Sequence, residues 1–551
     1  MMLQKKPWSL IVVLMALMVT MAACSSYSSN GNGKNGKETG GSKKEQVLNL
    51  TANDIATLNS LGSYEAGSTV VMSNIFEGLY RLDEESKPVE GIAESHDVSD
   101  DQKKYTFHLR KNAKWSNGTP VTAHDFEYAW KKAVGAETLS PFSFLMAQIK
   151  NASAIQTPSD PLYNKPDKLG VKATDDYTLE VELDNPTPYF LSLVTIPVYY
   201  PQNKEFVEAQ GDQYALGTDK IIYNGPFILN NWKQGTSWTY KKNPDYWDAK
   251  NVKLETINAT VLKETSTAVN MYEAGQLDAV GVTAEFVDQY KSSDEFSTHL
   301  DSTIYFIRMN QQNKNLANVN IRKALYIGWD KQGLEKILND GSVPAGYVVP
   351  KEFVFDEEGN DFRSKYESFN KTDIDQAVEY WNKGLEELGV DKMTLEFLSY
   401  DAESTKTVAQ YVKNQWEKNL PGLTININQQ PNKQKLELET KQEYELTYSG
   451  WVPIYQDAIT LLEIFHSENA YNWMNFSNPK VDALIDSSYS EADTKKRWNN
   501  LQEAEKIILE DLAGVSPMFQ NGTAILQKPY VKGIARHTYG TGVSYKWAYI
   551  E

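Results

Sequence analysis

The chain has 551 residues, of which 23% are charged and 41% hydrophobic, with a formal net charge of −18 and one cysteine. That balance excludes a wholly disordered chain, and the negative charge argues against nucleic acid or anionic headgroups as partners. The length is too great for one core and predicts two to four domains or lobes.

Lys5 and Lys6 precede an apolar run from Trp8 to Ala23, which ends at Cys24-Ser25-Ser26. A basic start, an apolar segment and small residues before a cut are the layout of a secretory signal. The run is shorter than the ~20 residues that a spanning helix needs. Ala22-Ala23 before Cys24 resembles a bacterial lipobox, with Met21 in the place usually held by Leu. Residues 1–23 are therefore expected to be a signal peptide, and Cys24 the lipidated first residue of the mature chain. Lipidation there leaves no thiol for disulfides or catalysis. Residues 24–45 are rich in Ser, Gly, Asn and Lys, offer no apolar face and are expected to form a disordered tether.

Alternation predicts strands over 46–50, 104–110, 177–183, 393–398 and 423–428. Helical spacing predicts helices over 123–132, 265–274, 321–338, 372–388, 404–420 and 495–512, with Thr122 as the N-cap of the first. Strands and helices mixed in this way imply α/β lobes.

The six histidines, at 96, 108, 124, 299, 466 and 537, form no metal-ligand spacing, and His108 falls inside a strand pattern as a structural residue. No phosphate-cradling glycine loop and no Gly-x-Ser-x-Gly elbow occurs. Nothing in the chain asks for an enzyme, and no cofactor is expected. The acidic run Asp83-Glu84-Glu85 reads as a solvated turn.

Residues 93–130 read AESHDVSDDQKKYTFHLRKNAKWSNGTPVTAHDFEYAW. This stretch resembles the signature region of the family 5 solute-binding proteins of ABC transporters, the oligopeptide-binding group. Similar agreement runs through Asn74–Tyr80, Asn224–Leu229 with Trp232, Lys242–Trp247, Tyr272–Asp278, Phe306–Asn310, Asn320–Leu325 and Trp329-Asp330. Together these cover about residues 46–551. The resemblance implies an α/β, two-lobed periplasmic-binding-protein-like fold of type II, cluster C-like, with three formal domains. Residues 46–74, 206–308 and 521–551 would form the core of lobe one, 75–205 an appended domain, and 309–520 lobe two. Ligand would lie in the cleft between lobes that close by hinge motion. A peptide would lie extended and pair its backbone with strand edges. The cleft residues implied are Tyr64, Glu65, Ala66, Phe142, Asn310, Gly450, Trp451, Val452, Pro453, Ile454, Tyr455 and Asp457.

One departure from the family pattern is informative. The family typically reads Gly-Trp-x-x-Asp-Tyr-x-Asp-Pro, and its first Asp holds the peptide's α-ammonium. This chain has Ile454 at that place and Ala458 where Pro is usual. The amine would then be met by Asp457, by backbone carbonyls, or by water. The positions where family members hold the peptide carboxylate align near Ser404 and Tyr448, which carry no positive charge. These losses favour ligands held by backbone and apolar pockets, with hydrophobic peptides, including secreted pheromones, as candidates. The expected partners are an oligopeptide and ABC permease and ATPase subunits. The expected state is a monomer, anchored by lipid on the extracellular face of a Gram-positive membrane. The competing readings are a receptor of the same fold for haem, nickel or an oligosaccharide, a surface adhesin or chaperone, and a hydrolase.

Overall fold

The computed structural model describes residues 44–62, 66–138, 140–369 and 371–551. The signal segment, Cys24 and nearly all of the tether lie outside the described residues, as do Tyr64 and Glu65. No helix among the described residues is long and apolar enough to cross a membrane.

An 11-stranded mixed sheet organises the chain. From one edge it runs Leu423–Gln430, Met393–Tyr400, Leu446–Trp451, Phe296–Met309, Val515–Gln527, Ala279–Val282, Val47–Ala52, Thr256–Val261, Ser237–Lys242 and Phe227–Lys233. The short strand Val343–Pro344 pairs with Val515–Gln527 off this path. The two central strands are the longest, at 14 and 13 residues, and they pair antiparallel. Their register shifts between Leu300 and Ile304 and again between Tyr305 and Phe306. Such irregularities bend a strand and raise its twist. On one side of the shifts, residues 296–300 pair with 522–526; on the other, 304–308 pair with 515–520. Among the described residues these two strands join the groups on either side of the sheet. Gly522 sits at this crossing because a Cβ there would lie 2.1 Å from the carbonyl carbon of Gly341. Gly341 itself has φ +95°, a conformation that favours glycine.

Residues 93–182 build a separate antiparallel sheet in the order Ala93–Val98, Lys104–Leu109, Thr178–Glu182, Val171–Asp175. Helix Ala123–Val134 packs on it, burying Phe126, Ala129, Trp130 and Ala133 at helical spacing. The Asp125 carboxylate accepts from the Thr122 backbone N–H at 2.8 Å and from Trp115 Nε1 at 3.3 Å. Burial pushes the Asp125 carboxyl up to about 6. The expected cap at Thr122 and the Trp115 turn are thus joined through one side chain. Gly118 has φ +88°, as the Asn117-Gly118 turn requires. His108 pairs with Asp97 on the neighbouring strand at 2.8 Å.

The expected helix over 321–338 is two helices, Val319–Ile327 and Gln332–Leu338. Between them Gly328, Trp329 and Asp330 turn the chain. Trp329 is fully buried, and Asp330 Oδ1 accepts from the Gln332 N–H at 3.0 Å, restarting the helix. The last expected helix is Thr494–Lys506, continued by a π-helical turn over Ile507–Asp511.

Candidate functional site

Strand Leu446–Trp451 lies beside Phe296–Met309, with Gly450 opposite Tyr305 and Trp451 opposite Ile304. On its other side it pairs with Met393–Tyr400 only at Leu446 and Thr447. Residues 448–451 therefore have a strand partner on one side alone. The Tyr305 ring stacks on Tyr448 at 5.4 Å and on Phe519 at 4.8 Å. A Cβ on Gly450 would lie 2.7 Å from that ring, so the close approach of Tyr305 requires glycine here.

Beyond Trp451 the chain leaves the sheet. Val452 is 56% exposed, Pro453 is buried, and Ile454 is half-buried against the core. Tyr455 is buried and its ring stacks on Tyr189 at 4.7 Å and 16°. The Gln456 N–H donates to Ser192 Oγ at 3.0 Å, and its side chain to the Phe353 carbonyl at 2.9 Å. Asp457 receives two 2.8 Å bonds from the Arg497 guanidinium. The same carboxylate accepts from the Ile459 N–H at 2.9 Å. A bidentate charge-assisted pair of this kind fixes the end of the loop.

An aromatic chain continues the surface. Trp451 meets Tyr471 edge-on at 5.5 Å, Tyr471 meets Phe144 at 5.7 Å, and Phe144 meets Phe142 at 6.0 Å. Phe142 and Trp451, 309 positions apart in the sequence, are thereby linked. Asn310 is committed elsewhere. Its amide donates to the Gln442 and Tyr444 carbonyls at 3.0 Å, and its oxygen accepts from the Gln312 N–H and the Asn475 amide. Ala66 opens helix Ala66–Ile75.

Several residues around this loop carry no local sequence signal. Tyr189 and Ser192 arrive from a segment more than 260 positions away from Gln456. Glu463, Tyr489 and Arg497 back the loop from behind. Cations do occur near Tyr448, but they are engaged. Arg308 Nη1 lies 3.1 Å from Glu439, which also bonds Lys435 and the Ser449 hydroxyl. Burial lowers the Lys435 ammonium, with Glu439 opposing that shift. No group of His, Cys, Asp or Glu among the described residues could hold a metal ion.

A strand end that lacks a second strand partner, beside glycine and aromatic rings, suits an extended chain of amino acids. Residues 87–473 match the bacterial extracellular solute-binding proteins, family 5. The chain belongs to this family. It is 33% identical to the oligopeptide-binding protein OppA of Bacillus subtilis, over 98% of both chains. The substrate-binding domain of an oligopeptide ABC transporter from Bacillus anthracis superposes with TM-score 0.80 and 44% identity, covering 92% of this chain and 99% of that one. The pheromone receptor PrgZ, solved for its mode of peptide binding, gives TM-score 0.80 and 37% identity, covering 92% of this chain and 100% of that one. The chain thus has the two-lobed α/β fold of family 5 solute-binding proteins, which bind rather than transform their ligands and serve ABC transporters outside the cytoplasm.

Proposed function

We propose that this family 5 protein is a lipid-anchored receptor that captures extended oligopeptides, with a preference for apolar ones, and passes them to an ABC importer. The observation that carries the reading is the strand end at 448–451, which has a partner on one side only and continues into Val452, Pro453 and Ile454. A peptide added to that edge bonds through its main chain, and its side chains meet Trp451, Tyr471 and Phe142. Main-chain pairing is indifferent to side-chain identity, so affinity rests on the backbone and preference on apolar contacts.

The cleft lies between lobe one (46–74, 206–308 and 521–551, with 75–205 appended) and lobe two (309–520), and it closes about the two long central strands. Tyr64, Glu65 and Ala66, which the family resemblance assigns to the ligand, would contribute to it from lobe one. Cys24 holds the protein to the outer face of the membrane, and residues 24–45 give it reach. Native mass spectrometry of protein purified from its host tests the reading. Co-purifying peptides rich in apolar residues are the expected result. A non-peptide adduct, or peptides dominated by charged side chains, would overturn it.

A further inference from the structure

Tyr189 and Ser192 belong to the appended segment, whereas Tyr455 and Gln456 belong to lobe two. Their ring stack at 4.7 Å and the 3.0 Å bond between Gln456 N–H and Ser192 Oγ therefore bridge bodies that part when the cleft opens. Phe144 against Tyr471 adds a second bridge of the same kind.

Behind this junction stands Glu463. It accepts from the Tyr489 hydroxyl at 2.7 Å and faces the Tyr455 hydroxyl at 3.4 Å. The other titratable groups that act on it are Asp457 on the same loop as Tyr455, Tyr471, and Tyr189 across the junction. Arg497 is bonded in bidentate fashion to Asp457 and stands 5.5 Å over the Tyr189 ring. Its charge is already matched. The half-buried Glu463 thus has two hydroxyl donors, one repelling carboxylate and, among the described residues, no cation paired with it, beside the Tyr455 ring that the appended segment covers.

We propose that the Tyr189–Tyr455 stack and the Ser192–Gln456 bond form a latch between the lobes, and that proton uptake by Glu463 tightens it. The proposal rests on the closing cleft put forward above. Burial, reinforced by Asp457, pushes the Glu463 carboxyl up to about 7 with the latch shut. Opening removes the Tyr189 ring from Tyr455, admits more water to the half-buried Glu463, and returns the carboxyl toward its ordinary value of 4.5. The closed state then holds its proton more tightly than the open one. Closure is favoured on the acid side, weakens as pH rises between these two values, and is flat above the upper one.

Double electron–electron resonance measures the open-to-closed ratio directly. The full chain carrying Cys24→Ser has no other thiol, so Lys165→Cys and Lys433→Cys, both at exposed positions, accept one spin label each. The short-distance fraction of the unliganded protein should fall as pH rises from 4.5 to about 7, the ratio changing by up to ~10-fold per pH unit. Glu463→Gln, which mimics the protonated side chain, should hold the acid-side fraction at every pH. Tyr489→Phe removes the closer donor and should move the upper edge of the window upward. A flat parent profile, or an unchanged pH response in Glu463→Gln, would overturn the latch. A tryptic digest of casein added to the same labelled protein separates the two readings. Distances that shorten with the digest but ignore pH leave the cleft standing and remove the latch. Distances that respond to neither remove the closing cleft itself.

Discussion

Asp457 and Arg497 meet through two parallel bonds of 2.8 Å, both residues being nearly buried. Arg497 Nε also donates to the Ser488 carbonyl at 2.8 Å. The pair therefore ties the end of the 450–457 loop to two helices, Pro479–Ser490 and Thr494–Lys506. It also settles what the Asp457 carboxylate is doing in this structure: its oxygens are spent on Arg497 and on the Ile459 N–H. Arg497→Met keeps the length and apolar stem of the side chain but strands Asp457 as a buried, unpaired charge. Removing one partner of such a pair costs about 3–5 kcal/mol. Urea denaturation of the variant should show a loss of that size, and a change below ~1 kcal/mol, as for exposed pairs, would mean the pair is solvated in solution.

A second prediction concerns acid stability. His537 is buried beside Arg81, and both burial and that guanidinium lower its imidazole to about 3. Its Nδ1 has no hydrogen-bond partner, nor do Glu77 Oε1 and Arg81 Nε, with which it lines a polar pocket that has room for about one water. The folded protein holds His537 neutral, while the unfolded chain takes up a proton below its usual value of 6.5. Stability is therefore lost as pH falls from 6.5 toward 3, by up to ~1.4 kcal/mol per pH unit. His537→Gln removes the titrating group. Between pH 7 and pH 4 the parent should lose about 3 kcal/mol more than the variant. Equal losses in the two proteins would place the acid sensitivity elsewhere.

Legibility from sequence followed the range of the interactions. The strand at Lys104–Leu109, the turn at Gly118 and the helix after Thr122 were readable because alternation, positive φ and capping are local. The break at Gly328 was not. The apolar spacing runs on through it, and what stops the helix is the burial of Trp329 between helices and strands brought together only by folding. The same divide holds at the site. The stretch 450–457 stood out because its residues are contiguous and depart from a family pattern. Tyr189, Ser192 and Arg308 could not be found in that way, since their partners Tyr455, Gln456 and Glu439 lie more than 130 positions away. Asn310, read from the family pattern as a cleft residue, has its polar atoms bonded to backbone and to Asn475.

The anchoring proposal is tested on Cys24. Cys24→Ser removes the only thiol in the chain. Cells fed radioactive palmitate should label the parent and not the variant, and the variant should appear in the culture medium or keep its uncleaved leader. Labelling that persists in the variant would remove the lipobox reading.

The last prediction concerns the peptide amine. Ile454 offers no charge where the family pattern has a carboxylate, and the nearest acid on the loop, Asp457, is bonded to Arg497. Ile454 is half-buried against apolar neighbours, and its carbonyl oxygen lies 3.5 Å from the place of a Cβ on Gly540. A free α-ammonium brought to this loop finds backbone oxygens and water, which compensate it about as well in the cleft as in bulk. Acetylating the N-terminus of a hydrophobic peptide should therefore weaken binding by less than ~1.5 kcal/mol, about tenfold in Kd. In a receptor with a buried carboxylate partner the same change should cost several kcal/mol. Ile454→Asp should widen the gap between free and acetylated peptide, since the new carboxylate faces an amine that is present in one ligand and absent in the other. Calorimetry with the two peptides and the two proteins forms a complete cycle. A loss of about a hundredfold in the parent, or ~2.7 kcal/mol, would mean that Asp457 leaves Arg497 to take the amine. In that case Arg497→Met should bind the free peptide more tightly than the parent does, because the carboxylate no longer has to be released first.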